Sequence, residues 1–201
     1  GHLPVYPAVA DSHLLSWNFN EDPALGEARD SVSGKLLTCS RCPSSAPGVE
    51  HRAFSFGGNE SLQMMPAAML DFTPTQGFSV ETILRSTSAC STAQHIVGRS
   101  AGNEGHSWYL ACENGKAVAV IADTERGERL ELVSSSRIND GRWHHISMAL
   151  DAHFGEVRLY VDGELDTRGP FTPTSGFDSE APLAVAATAL SGWTALPWAD
   201  S

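Results

Sequence analysis

The residues whose types and spacing could do chemistry are few. Asp162, Glu164 and Asp166 alternate, and a period of two sets three carboxylates on one face of a strand, where the separation of two of them would decide the stereochemistry of sugar hydrolysis. Asp162-Gly163 is better used as a turn, because Asp-Gly supplies the positive backbone angles that a tight reversal demands. Gly98-Arg99-Ser100-Ala101-Gly102 matches G-x-S-x-G, a motif that works only where a strand turns sharply into a helix and holds the serine oxygen at the tip. Asn103-Glu104-Gly105 and then the run Ser107 to Leu110 follow here, which makes a hairpin. His144 and His145 face opposite ways if they lie on a strand, so they cannot chelate one ion, and a packed histidine beside Trp143 is the plainer reading. The sequence therefore assigns no catalytic residue.

Binding chemistry has better candidates. Asn18, Asn20, Glu21, Asp22 and Asp30 gather hard oxygens in one early loop, although solvated loop acids look the same in a sequence. Rings that could stack on a sugar are Trp108, Tyr109, Trp143 and Tyr160 on strands and Trp193 and Trp198 near the end of the chain. Trp108, Tyr109, Tyr160 and Trp193 are taken as the ligand-binding candidates, against the commoner outcome that such rings are buried. Asn59-Glu60-Ser61 is a formal glycosylation sequon. Four cysteines allow three fully paired connectivities. Pairs Cys39–Cys42 and Cys90–Cys112 are favoured; a zinc site and free buried thiols stay open as alternatives.

The elements that must position these groups are strands. Trp143 to Leu150 and Glu156 to Val161 alternate, placing Ile146, Met148 and Leu150 on one face and Val157, Leu159 and Val161 on another. With reversals at Asp162-Gly163 and near Asp140-Gly141 they form a β meander. Asn114-Gly115, between the runs SWYLAC and KAVAVIA, is the strongest hairpin signal in the chain. Further strands are expected at His13 to Phe19, Lys35 to Leu37, two within Ala53 to Met64 about a Gly-Gly turn, Phe78 to Arg85, His95 to Gly98, Arg129 to Val133 and Pro182 to Leu190. Pro66 to Pro74 can hold a helix of about two turns. Many short strands separated by turn residues imply two antiparallel sheets packed face to face, an all-β sandwich. One domain covers residues 1–201, with 1–12 as a lead-in and 191–201 as an atypical tail.

Charge and hydropathy narrow the partners. A formal charge of -11, from 24 acidic against 13 basic residues and with no basic stripe, excludes a nucleic-acid backbone as ligand. No apolar run approaches the roughly 20 residues that span a bilayer, so no membrane insertion is expected, and the start shows no signal-peptide pattern. Any export signal or anchor was removed or lies outside this chain.

The order D-G-x-W-H-H-I-x-M-x-L-D from Asp140, followed by G-x-V-x-L-Y-V-D-G ending at Gly163, closely resembles the bacterial laminin G-like domains of the concanavalin A-like superfamily. The likeness extends weakly upstream to about Leu14 and fades after about Leu190. It implies an antiparallel two-sheet jelly roll and a non-catalytic binding or adhesion module of a larger exported protein, recognising a glycan or protein partner. It also implies an extracellular, periplasmic or cell-envelope location. Structural calcium at the sandwich rim is a further implication. Asp30 matches the family's loop aspartate in D-S-x-S-G, with Asp22 and Asn18 beside it. The alternatives are a purely structural spacer and, remotely, a glycoside hydrolase, though the E-x-D-x-x-E order of the superfamily's β-glucanases is absent. Related domains finish on a strand of the type D-E-V-R-I-Y, and this chain has SGWTALPWADS there. That replacement would leave a sheet edge open to dimerisation or strand addition.

Overall fold

A computed structural model describes residues 13–100, 106–123 and 126–186, and the statements below concern those residues. The lead-in 1–12, the tail 191–201, Trp193 and Trp198 lie outside them. The architecture is an antiparallel two-sheet sandwich with a small added hairpin. In spatial order the eight-stranded sheet runs β1 (Glu27–Arg29), β2 (Leu36–Thr38), β5 (Leu62–Met64), β14 (Leu183–Val185), β7 (Gln94–Ser100), β8 (His106–Glu113), β9 (Lys116–Asp123) and β10 (Glu128–Arg137). The four-stranded sheet runs β13 (Glu164–Pro170), β12 (Glu156–Val161), β11 (Trp143–Asp151) and β6 (Phe78–Arg85), and β3 (Ser44–Pro47) pairs with β4 (Arg52–Ser55).

Turn chemistry sets the hairpins. Asn114 and Gly115 both take positive φ, 51° and 75°, as do Asp162 and Gly163 at 53° and 83°, the pairing that matches the twist of flanking strands. Alternation sets the faces: Ile146, Met148 and Leu150 of β11 and Val157, Leu159 and Val161 of β12 are all buried, in one cluster with Leu110, Ala119 and Ile121 of the opposite sheet. Burying each large aliphatic side chain stabilises the fold by about 1.5–3 kcal/mol. Both favoured disulfides form, Cys39–Cys42 and Cys90–Cys112, with Cα separations of 5.1 and 5.8 Å.

Several expectations are corrected. His13 to Phe19 is not a strand: Ser16 donates its N–H to the Asp30 side chain and accepts the N–H of Ser31, and Phe19 turns left-handed at φ 53°. Leu15, Trp17 and Phe19 still pack on the core, so the alternation marks a buried face without a ladder. Asp140-Gly141 does not close a hairpin; it carries the chain from β10 in one sheet to β11 in the other. The helix between the prolines shrinks to a single 3-10 turn, Ala68–Leu70. The strands flanking Gly57-Gly58 do not pair with each other, since β4 joins β3 while β5 lies between β2 and β14. The last described strand, β14, lies in the middle of a sheet, between β5 and β7; the expectation of an open edge concerns the tail 191–201, outside the described residues.

Candidate functional site

Among the described residues, a candidate surface lies where β10, an edge strand of the large sheet, meets β13, an edge strand of the small one. Asp166 of β13 accepts the N–H groups of Ser135 and Ser136 at 2.6 and 3.2 Å and the Ser135 hydroxyl at 2.9 Å, fastening the two sheets. Gly169 lets Leu130 approach, for a Cβ there would lie 3.0 Å from Leu130 Cδ1. Beyond this seam an open cleft of about 470 Å3 is lined by Arg126, Arg129, Leu130, Phe171 and Thr172, among others, a size suited to a small ligand. Arg129 joins it to the outer face of the large sheet: its Nη2 donates to Tyr109 Oη at 3.3 Å and contacts Glu131 Oε2 at 2.6 Å. Burial opposes the charge on Arg129, but these two partners outweigh it and raise its affinity for the proton. Arg126, Glu128 and Arg129 bring guanidinium and carboxylate groups to the cleft that can bond hydroxyls of a ring, while half-buried Leu130 supplies apolar contact; Phe171, 5% exposed, closes the floor as part of the core.

The four aromatic candidates do not converge. Trp108 is 4% exposed and faces the core, 5.6 Å from the Phe78 ring, so it offers no surface to a ligand in this arrangement. Tyr109, its neighbour on β8, points the other way, onto the outer face, where its ring meets the His95 ring edge-on at 4.6 Å. Burial pushes the His95 imidazole down to about 4. Tyr160 is half-buried on the outer face of the small sheet, opposite Ser147 and Leu165. Trp193 lies outside the described residues. Of the described candidates, Tyr109 alone is tied to the cleft, through its hydrogen bond from the lining residue Arg129.

The early acidic loop uses its oxygens on the backbone. Asp30 is 1% exposed; Oδ1 accepts from the N–H of Ser16 and Val32, and Oδ2 from the N–H and hydroxyl of Ser33, at 2.5–3.2 Å. Four donors on two carboxylate oxygens fill the lone pairs a cation would use. Burial would raise the carboxyl's pKa, but these hydrogen bonds hold it below the usual range. Asp22 caps the 3-10 turn Pro23–Leu25 through Ala24 N–H, Asn18 accepts from Asn20 N–H, and Asn20 from Arg52 N–H. The set does not fit calcium as arranged. Among the described residues no three His, Cys, Asp or Glu side chains are grouped to hold a metal ion.

Two polar clusters escaped the sequence reading. His106 Nε2 lies 3.0 Å from Ser175 Oγ and 3.2 Å from Asp123 Oδ1. A catalytic relay needs acid and nucleophile on opposite ring nitrogens, and here both meet the same one. Thr174 also donates to Asp123, so the cluster ties the segment after β13 to β8 and β9. Arg99, 2% exposed, donates to the carbonyls of Leu70, Phe177, Ser179 and Ala181 and pairs with Asp71 at 2.7 Å, gathering the loops at one rim. No spacing rule could have found either, because the partners lie between 17 and 82 residues apart. Of the other motifs, Ser100 lies in β7 bonded to Ser107, not at an elbow. Asp162 sits in its turn, and Asp166 at the β12–β13 register shift, which breaks the alternation with Glu164.

Comparison with known proteins agrees with this architecture. A laminin G family model, described as the concanavalin A-like lectin/glucanases superfamily, matches residues 56–199. No curated protein matches the sequence. Among solved structures, the binding domain of Paraclostridial mosquitocidal protein 1 superposes with a TM-score of 0.72 at 15% identity, covering 87% of this chain and 44% of that one. Mouse laminin α1 chain domains LG4-5 give 0.58 at 19%, covering 75% and 38%. Domain 4 of an extracellular arabinanase from Geobacillus stearothermophilus, in complex with arabinotriose, gives 0.61 at 16%, covering 85% and 81%. The chain thus spans less than half the length of the first two.

Proposed function

The chain belongs to the concanavalin A-like lectin/glucanase superfamily, in its laminin G-like branch, and on that premise we propose that it is a non-catalytic module that binds a glycan. The observation that carries this reading is the cleft beside β10, where Arg129 stands between Glu131 and Tyr109 at the mouth of about 470 Å3 of open space. Binding domains of toxins and a domain holding arabinotriose share the fold, which supports a recognition role without fixing the ligand. Two disulfides favour an oxidising, extracellular setting, and the partial coverage of the matched structures supports a place within a larger protein. Calcium has no part in the proposal, because every Asp30 oxygen already carries its donors.

An array of neutral and acidic oligosaccharides tests it. Binding to one glycan class, weakened at least about tenfold by Arg129→Ala with the fold intact, is the expected result; about 1.4 kcal/mol of recognition energy corresponds to that factor. Silence across the array, or full binding by Arg129→Ala, would sink the assignment and leave a protein ligand as the reading to pursue.

A further inference from the structure

The turn between β11 and β12 holds an exposed aromatic ring next to the cleft. Phe154 is 72% exposed, and the His153 ring meets it edge-on with centroids 5.0 Å apart. A single apolar side chain in water is ordinary on a protein surface. What sets this one apart is the way its turn is held. The Phe154 N–H donates to Asp151 Oδ1 at 3.1 Å, and Gly155, at φ 61°, accepts the Phe171 N–H on its carbonyl at 2.9 Å. A Cβ on Gly155 would lie 2.6 Å from Thr172 Oγ1, so the turn rests directly on that residue. Phe171 and Thr172 both line the cleft.

Register extends the contact. β12 begins at Glu156, opposite Pro170 of β13, and Pro170 is exposed and also lines the cleft. One strand spacing, about 4.8 Å, therefore separates the cleft wall from the strand that Phe154 precedes. Beside the turn, Glu156 takes Arg158 Nε at 2.6 Å on one carboxylate oxygen and Arg168 Nη1 at 3.4 Å on the other, and Arg168 is 61% exposed. An aromatic face flanked by a guanidinium and a carboxylate suits a sugar: the C–H face of the sugar lies on the ring while its hydroxyls bond the charged groups.

We infer that Phe154 is the platform of a second sugar subsite, one ring along from the cleft, so that the ligand is an oligosaccharide chain and not a single sugar. The inference rests on the glycan reading of the cleft and adds a chain-length requirement to it. Phe154 carries no motif: in the sequence it lies in the gap between two alternating runs, and only the pairing of β12 with β13 brings it to the cleft. A bilayer is the poorer occupant. One ring offers little apolar area, and a formal charge of -11 brings no attraction to anionic lipid.

Gluco-, xylo-, arabino- and manno-oligosaccharides and their N-acetylated and uronate counterparts, each from monosaccharide to pentasaccharide, test it by calorimetry on the full chain. Within the class that binds, wild-type affinity should rise at least about tenfold from the shortest to the longest member. In Phe154→Ala, with the β-sheet spectrum unchanged, that rise should shrink to within about twofold. Phe154→Tyr should keep the rise and Phe154→Leu should lose it, because stacking needs a flat ring and general apolar contact does not. If the wild type binds, Arg129→Ala loses the binding and Phe154→Ala keeps the full rise with length, the subsite is overturned and the cleft stands. A rise kept in Phe154→Leu overturns it equally. No binding by the wild type to any series takes away the glycan reading and this inference together. Co-sedimentation of the wild type with phosphatidylcholine vesicles, lost in Phe154→Ala, would assign the ring to a bilayer and overturn the subsite.

Discussion

Nδ1 of His144 lies 2.9 Å from Oδ2 of Asp162, the residue that opens the β12–β13 turn, and Oδ1 of the same carboxylate accepts the His145 N–H at 2.9 Å. The other ring nitrogen, Nε2, meets Asp140 Oδ1 at 2.9 Å. Two carboxylates on two nitrogens require both to carry protons, so the ring is an imidazolium. Burial opposes that charge, but Asp140 and Asp162 outweigh it and hold the His144 pKa above its ordinary value.

A raised folded-state pKa means that the protonated form is favoured by folding. The contribution is complete below the unfolded histidine value of about 6.5 and is lost as pH rises through the higher folded value. Urea midpoints should therefore fall from pH 6 toward pH 9 in the wild type, and fall less in His144→Asn. A parallel decline in both proteins would remove His144 as the cause.

His95 acts with the opposite sign. Its pKa of about 4 reflects burial of the neutral ring, so the unfolded chain binds the extra proton between about 6.5 and 4 and stability is lost as pH falls through that window. Replacing it, as His95→Phe, should flatten this part of the acid limb. An acid limb unchanged in slope between pH 6.5 and 4 would contradict the assignment.

Arg99→Met should destabilise the fold by about 3 kcal/mol, the range seen when one member of a buried charged network is removed. Most of this comes from the carbonyls of Leu70, Phe177, Ser179 and Ala181, which lose their donor; Asp71 is partly solvated and suffers less. Chemical denaturation of the purified variant measures it, and a loss below about 0.5 kcal/mol would show that water replaces the guanidinium.

Gly98→Ala should destabilise by about 1–3 kcal/mol through overpacking. A Cβ at this position would sit 2.3 Å from Tyr109 Cβ and 2.8 Å from the Trp108 carbonyl oxygen, so strand backbone would have to move. A thermal midpoint equal to that of the wild type would show β7 and β8 to be looser than their register indicates.

Asp30→Ala should weaken the fold by about 2 kcal/mol, since four donors lose one acceptor group. The loss should be the same in millimolar calcium and in chelator, and the wild-type melting temperature should not respond to either. Stabilisation by calcium that vanishes in Asp30→Ala would overturn the saturated-carboxylate argument.

The parts of this fold legible in the sequence are those fixed by neighbours along the chain. Asn114-Gly115 and Asp162-Gly163 determine their turns by backbone angle alone, and the faces of β6, β11 and β12 follow from alternation. Alternation reports which side chains are buried, and it says nothing of whether the backbone finds a ladder. His13 to Phe19 shows the difference: Leu15, Trp17 and Phe19 pack as a strand's would, while Ser16 spends its hydrogen bonds on Asp30 and Ser31. At the cleft, Tyr109 was a candidate from the start, but Arg129 became visible only when β10 and β8 were brought together across β9. Asp30 stood out for its match to a family loop, and the four donors its carboxylate accepts could be read only from the folded loop.

The position of β14 bears on how the molecule is made. It bridges β5 and β7, and without it the large sheet falls into an early fragment, β1-β2-β5, and a later one, β7-β8-β9-β10. A nascent chain emerging from the ribosome can close the Asn114-Gly115 and Asp162-Gly163 hairpins at once, yet the two fragments cannot be joined until Leu183 to Val185 has cleared the exit tunnel. The sheet gains its keystone only after the rest of its strands have been made, and a chain cut just upstream of β14 would yield two unsealed half-sheets and not a shortened sandwich.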